Sequence, residues 1–446
     1  MSKLFPPKIE IDIYNDGFEG KDLLNRKKTG ERLSELVERI EDPMVIALNG
    51  GWGTGKSFFL KCWVGEHTLD NDRTARTVYF DAFAHDYLDN PLIALTGVLT
   101  EQLEQEDSKR EQTLKKVRSI ASKLWRPAAR IGLAVATSGI SEGAGAVTKI
   151  AIDATGAEIA KAAEDFWKEE DGKRAAMNEF TEALKALTLP DTEDATPQKI
   201  VIVIDELDRC RPDYALQMLE IIKHFFSVPH IHFILGTNIS ELENTVKARY
   251  GAGVNASLYL EKFINLSMSL PSHTPHQHMT INKAYFNEMA KAMGLGERSN
   301  MASYYFELPA IEQQLNLRTV ERLLTYLALL PDTITSGRLQ NWNKEIIMSL
   351  FLMKTLNANL YKKAQNQALT LGDIAALFGP DELKTENQKN NLKYVMDCWK
   401  YVFDKEFRNH PDQTKRFGPY GIQSEPQDYI VSIIDKYIEA FDTQLN

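Results

Sequence analysis

Eight consecutive residues, Gly50-Gly51-Trp52-Gly53-Thr54-Gly55-Lys56-Ser57, fit the pattern G-x-x-x-x-G-K-[ST] at every fixed position. Glycine is costly to order, so such a cluster marks a place where side chains would obstruct. Bare backbone N–H groups can wrap an anionic group there, with a helix N-terminus pointing at it. Lys56 is placed to reach the β- and γ-phosphates of a nucleotide, Ser57 to ligate Mg²⁺, and Phe58 to open the following helix. The bland alternative is a glycine-rich turn that binds nothing, but the match is complete and sits between a strand and a helix.

Binding phosphate is not hydrolysis, which needs a held metal and an oriented water. Val201-Ile202-Val203-Ile204-Asp205-Glu206 is an apolar run closed by two acids. Asp205 is suited to hold Mg²⁺ through water, and Glu206 to polarise the attacking water, with Asp208 as its competitor. Arg209 and Arg211 follow at once; one could cross to a neighbouring subunit's γ-phosphate, or both could pair locally with Asp208 or Asp213.

These groups need elements to carry them. Val45–Leu48 reads as a buried strand and Gly55–His67 as the helix after it. Further strands are expected at Thr77–Phe80, at 199–205, at 230–238 and at Ile264–Leu270. Leu33, Leu36, Val37 and Ile40 recur at helical spacing, and Asn90-Pro91 and Pro212 open helices. Continuous apolar strands separated by helices imply an α/β fold with a parallel sheet covered on both faces. Residues 1–20 read as an irregular arm, and the chain beyond Pro271 as helical almost to its end.

The chain has 446 residues, 43% of them hydrophobic and 26% charged, as in ordinary globular proteins of two or three units. A net charge of −10 gives no overall attraction to nucleic acid or anionic membrane. Cys62, Cys210 and Cys398 form no C-x-x-C pair, and MSKLFPPKIEIDIYNDG lacks an apolar signal-peptide core, so a cytoplasmic chain with free thiols is expected.

With these pieces assembled, the sequence resembles the KAP family of P-loop NTPases. The matching stretches are LNGGWGTGKSFFL, YFDAFAHDYLDNPLIAL, VIVIDELDRCRPDYALQMLEIIKHFF, HFILGTN, YLEKFINLSMSLP and LNLRTVERLL, spread from about residue 20 to about 330. The run Asp205 to Cys210 is the most specific. The resemblance implies a P-loop core with an additional strand between the two Walker strands, ATP as substrate, and a long insertion between the Walker motifs. It also implies that a polar residue at the end of the fourth strand, Asn238 here, contacts the water or γ-phosphate; a strand-end cap is the rival reading. An arginine of the helical lid contacts nucleotide in such proteins. Arg318 is the choice here, with Arg322 on the same helix face. The chain departs from the family at Asp81-Ala82-Phe83, where Asn-Ala-Trp is usual, and at Gly236-Thr237-Asn238, where many members carry an Asp. Prokaryotic members include phage-exclusion and other defence proteins.

The expected division is a nucleotide core at 1–105 and 199–271, a helical insertion at 106–198, a helical lid at 272–332 and a C-terminal helical region at 333–446. Many family members cross a membrane within the insertion. Here the best uncharged stretch, Ile131 to Ser141, is far short of the roughly 20 residues needed. The insertion's small-residue joints at Gly132, Gly139, Gly143 and Gly145 suit a soluble hairpin or an oligomer contact. His273, His276 and His278 surround Pro275 with no Cys near, which favours a polar loop over a metal site. Lys27-Lys28 and Lys115-Lys116 read as solvated faces. Trp342, Trp399, Tyr401 and Phe407, interleaved with basic residues, suit a helical core better than stacking on bases. The expectation is an ATP-hydrolysing, Mg²⁺-dependent switch with a homo-oligomer or an effector protein as partner. The alternative is a non-catalytic ATP-dependent assembly module.

Overall fold

A computed structural model describes residues 3–88, 90–106, 111–124, 175–190, 196–225, 228–271, 280–331, 334, 339–418, 422 and 424–439. The five strands found among them are β1 (Met44–Asn49), β2 (Arg76–Asp81), β3 (Ile200–Asp205), β4 (Ile231–Thr237) and β5 (Leu266–Ser269). They form one parallel sheet in the order β2-β3-β4-β1-β5, so β4 is inserted between β1 and β3. This is the additional-strand arrangement that the sequence led us to expect.

The strands alternate between two cores. Ile200, Ile202 and Ile204 of β3 face one apolar cluster, while Val201 and Val203 face the other. On the second face lie α1 (Lys27–Arg39) and α2 (Lys56–Leu69), which contribute Leu33, Val37, Phe59, Leu60 and Trp63. On the first lie α3 (Pro91–Glu106), α4 (Glu111–Leu124), a helical segment at 175–188, α5 (Pro212–Phe225) and α6 (Ile239–Tyr250). Asn90 caps α3 by accepting from the N–H groups of Leu92 (2.7 Å) and Ile93 (3.1 Å), which fits its place before Pro91. β5 is shorter than Ile264–Leu270 and sits at the sheet edge, where Leu266 is 43% exposed.

A third core is built from helices alone, among them α7 (Ile281–Met293), α8 (Leu317–Leu329), α9 (Asn341–Leu356) and α10 (Glu386–Phe403). Trp342, Trp399 and Tyr401 are buried inside it and Phe407 packs against it, so these aromatics form a core and not a stacking platform. All three cysteines are buried and free. No helix among the described residues is long and apolar enough to cross a membrane. Most of the insertion lies outside the described residues, including Ile131–Ser141 and the glycines near it, and so do His273, His276 and His278.

Candidate nucleotide site

The strand register brings the polar strand ends together. Asp81 of β2 lies beside Asp205 of β3, Asp205 beside Gly236 of β4, and Thr237 beside Asn49 of β1. Ligands of open parallel sheets bind at this carboxyl edge. The glycine-rich loop leaves β1 there and turns into α2 with Gly53 and Gly55 at φ +79° and +83°. Both positions are also crowded. A Cβ on Gly53 would lie 2.7 Å from Asn316 Oδ1, and one on Gly55 would lie 2.8 Å from Arg26 Nη1.

Lys56 is buried, and its Nζ donates to the carbonyl of Gly51 (3.1 Å) and to that of Gly50. Burial pushes its pKa down, opposed by the charges of Asp208 and Asp205. Asp205 is fully buried; its Oδ2 accepts from Tyr79 Oη at 2.7 Å and its Oδ1 from the Glu206 N–H at 2.9 Å. Burial pushes its carboxyl up to about 6 against those hydrogen bonds. Gly236 makes room for this carboxylate, since a Cβ there would stand 2.4 Å from Asp205 Oδ1 and 2.5 Å from Leu60 Cδ1.

Ser57 Oγ donates to Glu206 Oε1 at 3.2 Å, and Arg209 Nη1 meets the same oxygen at 2.8 Å. Arg209 therefore pairs locally, as one of the two sequence readings had it, but with Glu206 and not with Asp208 or Asp213. Asp208 instead accepts from Trp52 Nε1 at 2.7 Å, which ties the glycine loop to the turn after β3. The main-chain N–H of Arg211 donates to Asp86 Oδ2 at 3.0 Å, again a partner not expected from sequence. A serine hydroxyl beside a buried carboxylate is an all-oxygen donor set that fits Mg²⁺.

A cavity of about 980 Å³ opens on these groups. Trp52 through Phe59, Asp205, Glu206, Asp208 and Arg209 line it, as do Arg318 and Arg322 of α8. Gly50 and Gly51 take part through their carbonyls. Asn238 does not line the cavity, and its side chain makes no cap bond to α6; Asn49 Oδ1 takes the Ile239 N–H instead, at 3.0 Å.

Two walls escape sequence reasoning. One is the N-terminal arm, residues 5–10 with 21–24 and Arg26. Arg26 is 4% exposed, donates from Nη1 to the Thr54 carbonyl at 3.0 Å, and has its pKa pushed down to about 10 by burial. The arm has no periodicity to reveal it; its role follows from tertiary contact alone. The other is the pair Tyr285 and Glu321, which join α7 to α8 through a 2.7 Å hydrogen bond. Both sit on ordinary amphipathic helices, where nothing marks them.

Among solved structures, the chain is similar to the ORC2 protein of Aeropyrum pernix in ADPNP-ADP complexes, with 13% identity and a TM-score of 0.31 over 98% of this chain and 96% of that one. It is also similar to Cdc6p from Pyrobaculum aerophilum, with 13% identity and a TM-score of 0.34 over 97% and 98%. Drosophila ORC bound to DNA gives 13% and 0.32 over 92% and 94%. No curated protein matches the chain. The family model of the KAP family P-loop domain matches residues 26–333, more than half of the chain and the whole of the sheet, and the chain belongs to that family.

Proposed function

We propose that this chain is a Mg²⁺-dependent ATPase whose nucleotide state acts as a switch. The observation that carries the reading is the convergence of Lys56, Ser57, Asp205 and Glu206 on one cavity, with Ser57 Oγ and Glu206 Oε1 3.2 Å apart. Gly50 through Phe58 cradle the phosphates, Lys56 neutralises the β- and γ-groups, and Arg318 approaches from α8. Ser57 and Asp205 hold the metal, which when bound neutralises charge on the phosphates. Glu206 takes the proton of the attacking water, and Asn238, which follows β4 and does not line the cavity, would have to turn inward to contact the water or γ-phosphate. The proposed units are a core at 1–105 and 199–271, the helical insertion 106–198, a helical lid at 272–332 and a C-terminal helical region at 333–446. Partners are further copies of the chain or an effector protein in the cytoplasm.

Lys56→Ala is expected to weaken ATP binding about ten-fold or more, because one charge-assisted contact of roughly 1.5–3 kcal/mol is lost. Glu206→Gln should retain Mg-ATP and release no phosphate. Equal ATP affinity in wild type and Lys56→Ala, by equilibrium titration, would sink the site assignment. Unchanged turnover in Glu206→Gln would move the base role to Asp208. A place in phage defence belongs to the same proposal: cells expressing wild type should resist phage plating, and cells expressing Lys56→Ala should not.

A second reading, a non-catalytic assembly module, is favoured by one observation. Glu206 is engaged by both Ser57 and Arg209, and Lys56 by its own loop. Nucleotide retained unhydrolysed through purification supports this reading, and steady phosphate release above the Lys56→Ala level supports the first.

A further inference from the structure

We propose that Glu321, braced by Tyr285, recognises the ribose 2′,3′-diol of the bound nucleotide, so that the site distinguishes ribonucleotides from deoxyribonucleotides. The inference rests on the nucleotide-binding reading above and adds to it a sugar subsite.

α8 starts on the phosphate loop. The Leu317 N–H donates to the Gly53 carbonyl at 2.9 Å, and an Asn316–Thr319 capping box closes the first turn. A Cβ on Gly53 would lie 3.3 Å from Arg318 Cγ, so Arg318 stands at the level of the loop. The helix then runs along the cavity, with Arg318, Glu321, Arg322, Thr325 and Tyr326 all lining it. At about 1.5 Å per residue, Glu321 lies about 4.5 Å beyond Arg318 along the axis, and Tyr326 about 12 Å beyond. A nucleotide seated in the loop presents its groups in the same order: phosphates, then sugar, then base. An arginine faces the phosphates, a carboxylate the sugar and an aromatic ring the base.

The chemistry matches the position. A carboxylate accepts hydrogen bonds and repels phosphate, whereas a ribose diol offers two O–H donors. Tyr285 Oη donates to Glu321 Oε1 at 2.7 Å, which fixes the carboxylate and leaves Oε2 for the diol. Tyr285 and Glu321 are both half-buried, so a hydrogen bond to this charged acceptor is less diluted by water than one at the surface.

The test titrates the full chain with Mg-ATP and with Mg-2′-deoxy-ATP. Wild type should favour ATP by about ten-fold, the worth of one hydrogen bond to a charged acceptor. Glu321→Ala should erase the preference while binding 2′-deoxy-ATP about as well as wild type does. Glu321→Gln keeps the side-chain size without the charge, and should reduce the preference even if the alanine variant folds poorly. Equal affinities in wild type, an undiminished preference in Glu321→Gln, or an equal loss of both nucleotides in Glu321→Ala would overturn the assignment. The last result would mean that Glu321 only ties α8 to α7. If wild type bound neither nucleotide, the nucleotide reading itself would fall, which is distinct from binding both without preference.

Discussion

Glu206 sits at φ 60° and ψ 27°, a left-handed conformation that costs a non-glycine residue of order 1 kcal/mol or more. Its N–H holds it there by donating to the Gly236 carbonyl (3.0 Å) and to Asp205 Oδ1 (2.9 Å), while Arg209 Nη1 grips its carboxylate. The acid proposed to accept a proton from water is thus occupied by a guanidinium at 2.8 Å. Arg209→Ala is expected to free it and raise turnover about two- to five-fold, the range open to one partly exposed ion pair. ATP affinity should change little. A fall in turnover would mean that the guanidinium serves the reaction directly. At this scale the sequence is informative about which residues meet in the cavity, because Lys56, Ser57, Asp205 and Glu206 lie in two short runs with fixed spacing. It is silent on partners. Trp52 meeting Asp208 across 156 positions depends on how β1 and β3 align at the carboxyl edge of the sheet, and Arg209 meeting Glu206 depends on the left-handed backbone of Glu206 and the tight turn after it.

Among the elements, β1, β3 and β4 are legible because each is a nearly continuous apolar run, and β4 carries one buried exception. His232 is fully buried in it, beside Met44 of β1 and Val201 of β3. Burial, and then the charge of Lys199, hold its pKa down at about 4, with His230 acting in the same direction and Glu38 opposing. The folded value lies below the unfolded one, so this stability is complete above about pH 6.5 and is lost as pH falls through about 4. Urea unfolding of wild type should therefore lose about 3 kcal/mol over that window from this group alone. His232→Val, which suits a buried strand, should not lose that portion. Identical pH profiles for the two proteins would show that His232 is not the acid-sensitive group. The N-terminal arm is the opposite case. It has no period, it forms a wall of the cavity, and only the folded chain reveals that Arg26 reaches the Thr54 carbonyl.

For the whole molecule, the rim of the cavity is the informative surface. Trp52 is 47% exposed and Phe83 49%, although most large apolar side chains among the described residues are buried. Trp52 and Phe83 line a shallow depression together with Asp208, Arg209, Pro212 and Arg318. Aromatic residues beside charged ones, next to a nucleotide site, are what an interface core and its polar rim require. Arg211 is exposed nearby and is held to Asp86, so a neighbouring γ-phosphate would have to compete with that contact. We therefore expect light scattering with saturating Mg-ATP to report two or more chains, and Phe83→Asp to return the protein to a monomer by placing a charge in the apolar centre. If Arg211 acts across that boundary, Glu206→Gln chains mixed with Arg211→Ala chains should regain part of the turnover that each lacks alone. Some mixed sites then combine an intact Glu206 with a neighbour's intact Arg211. A monomer under saturating Mg-ATP would remove the interface. Association without recovery in the mixture would leave the interface in place and reduce Arg211 to a local anchor for Asp86.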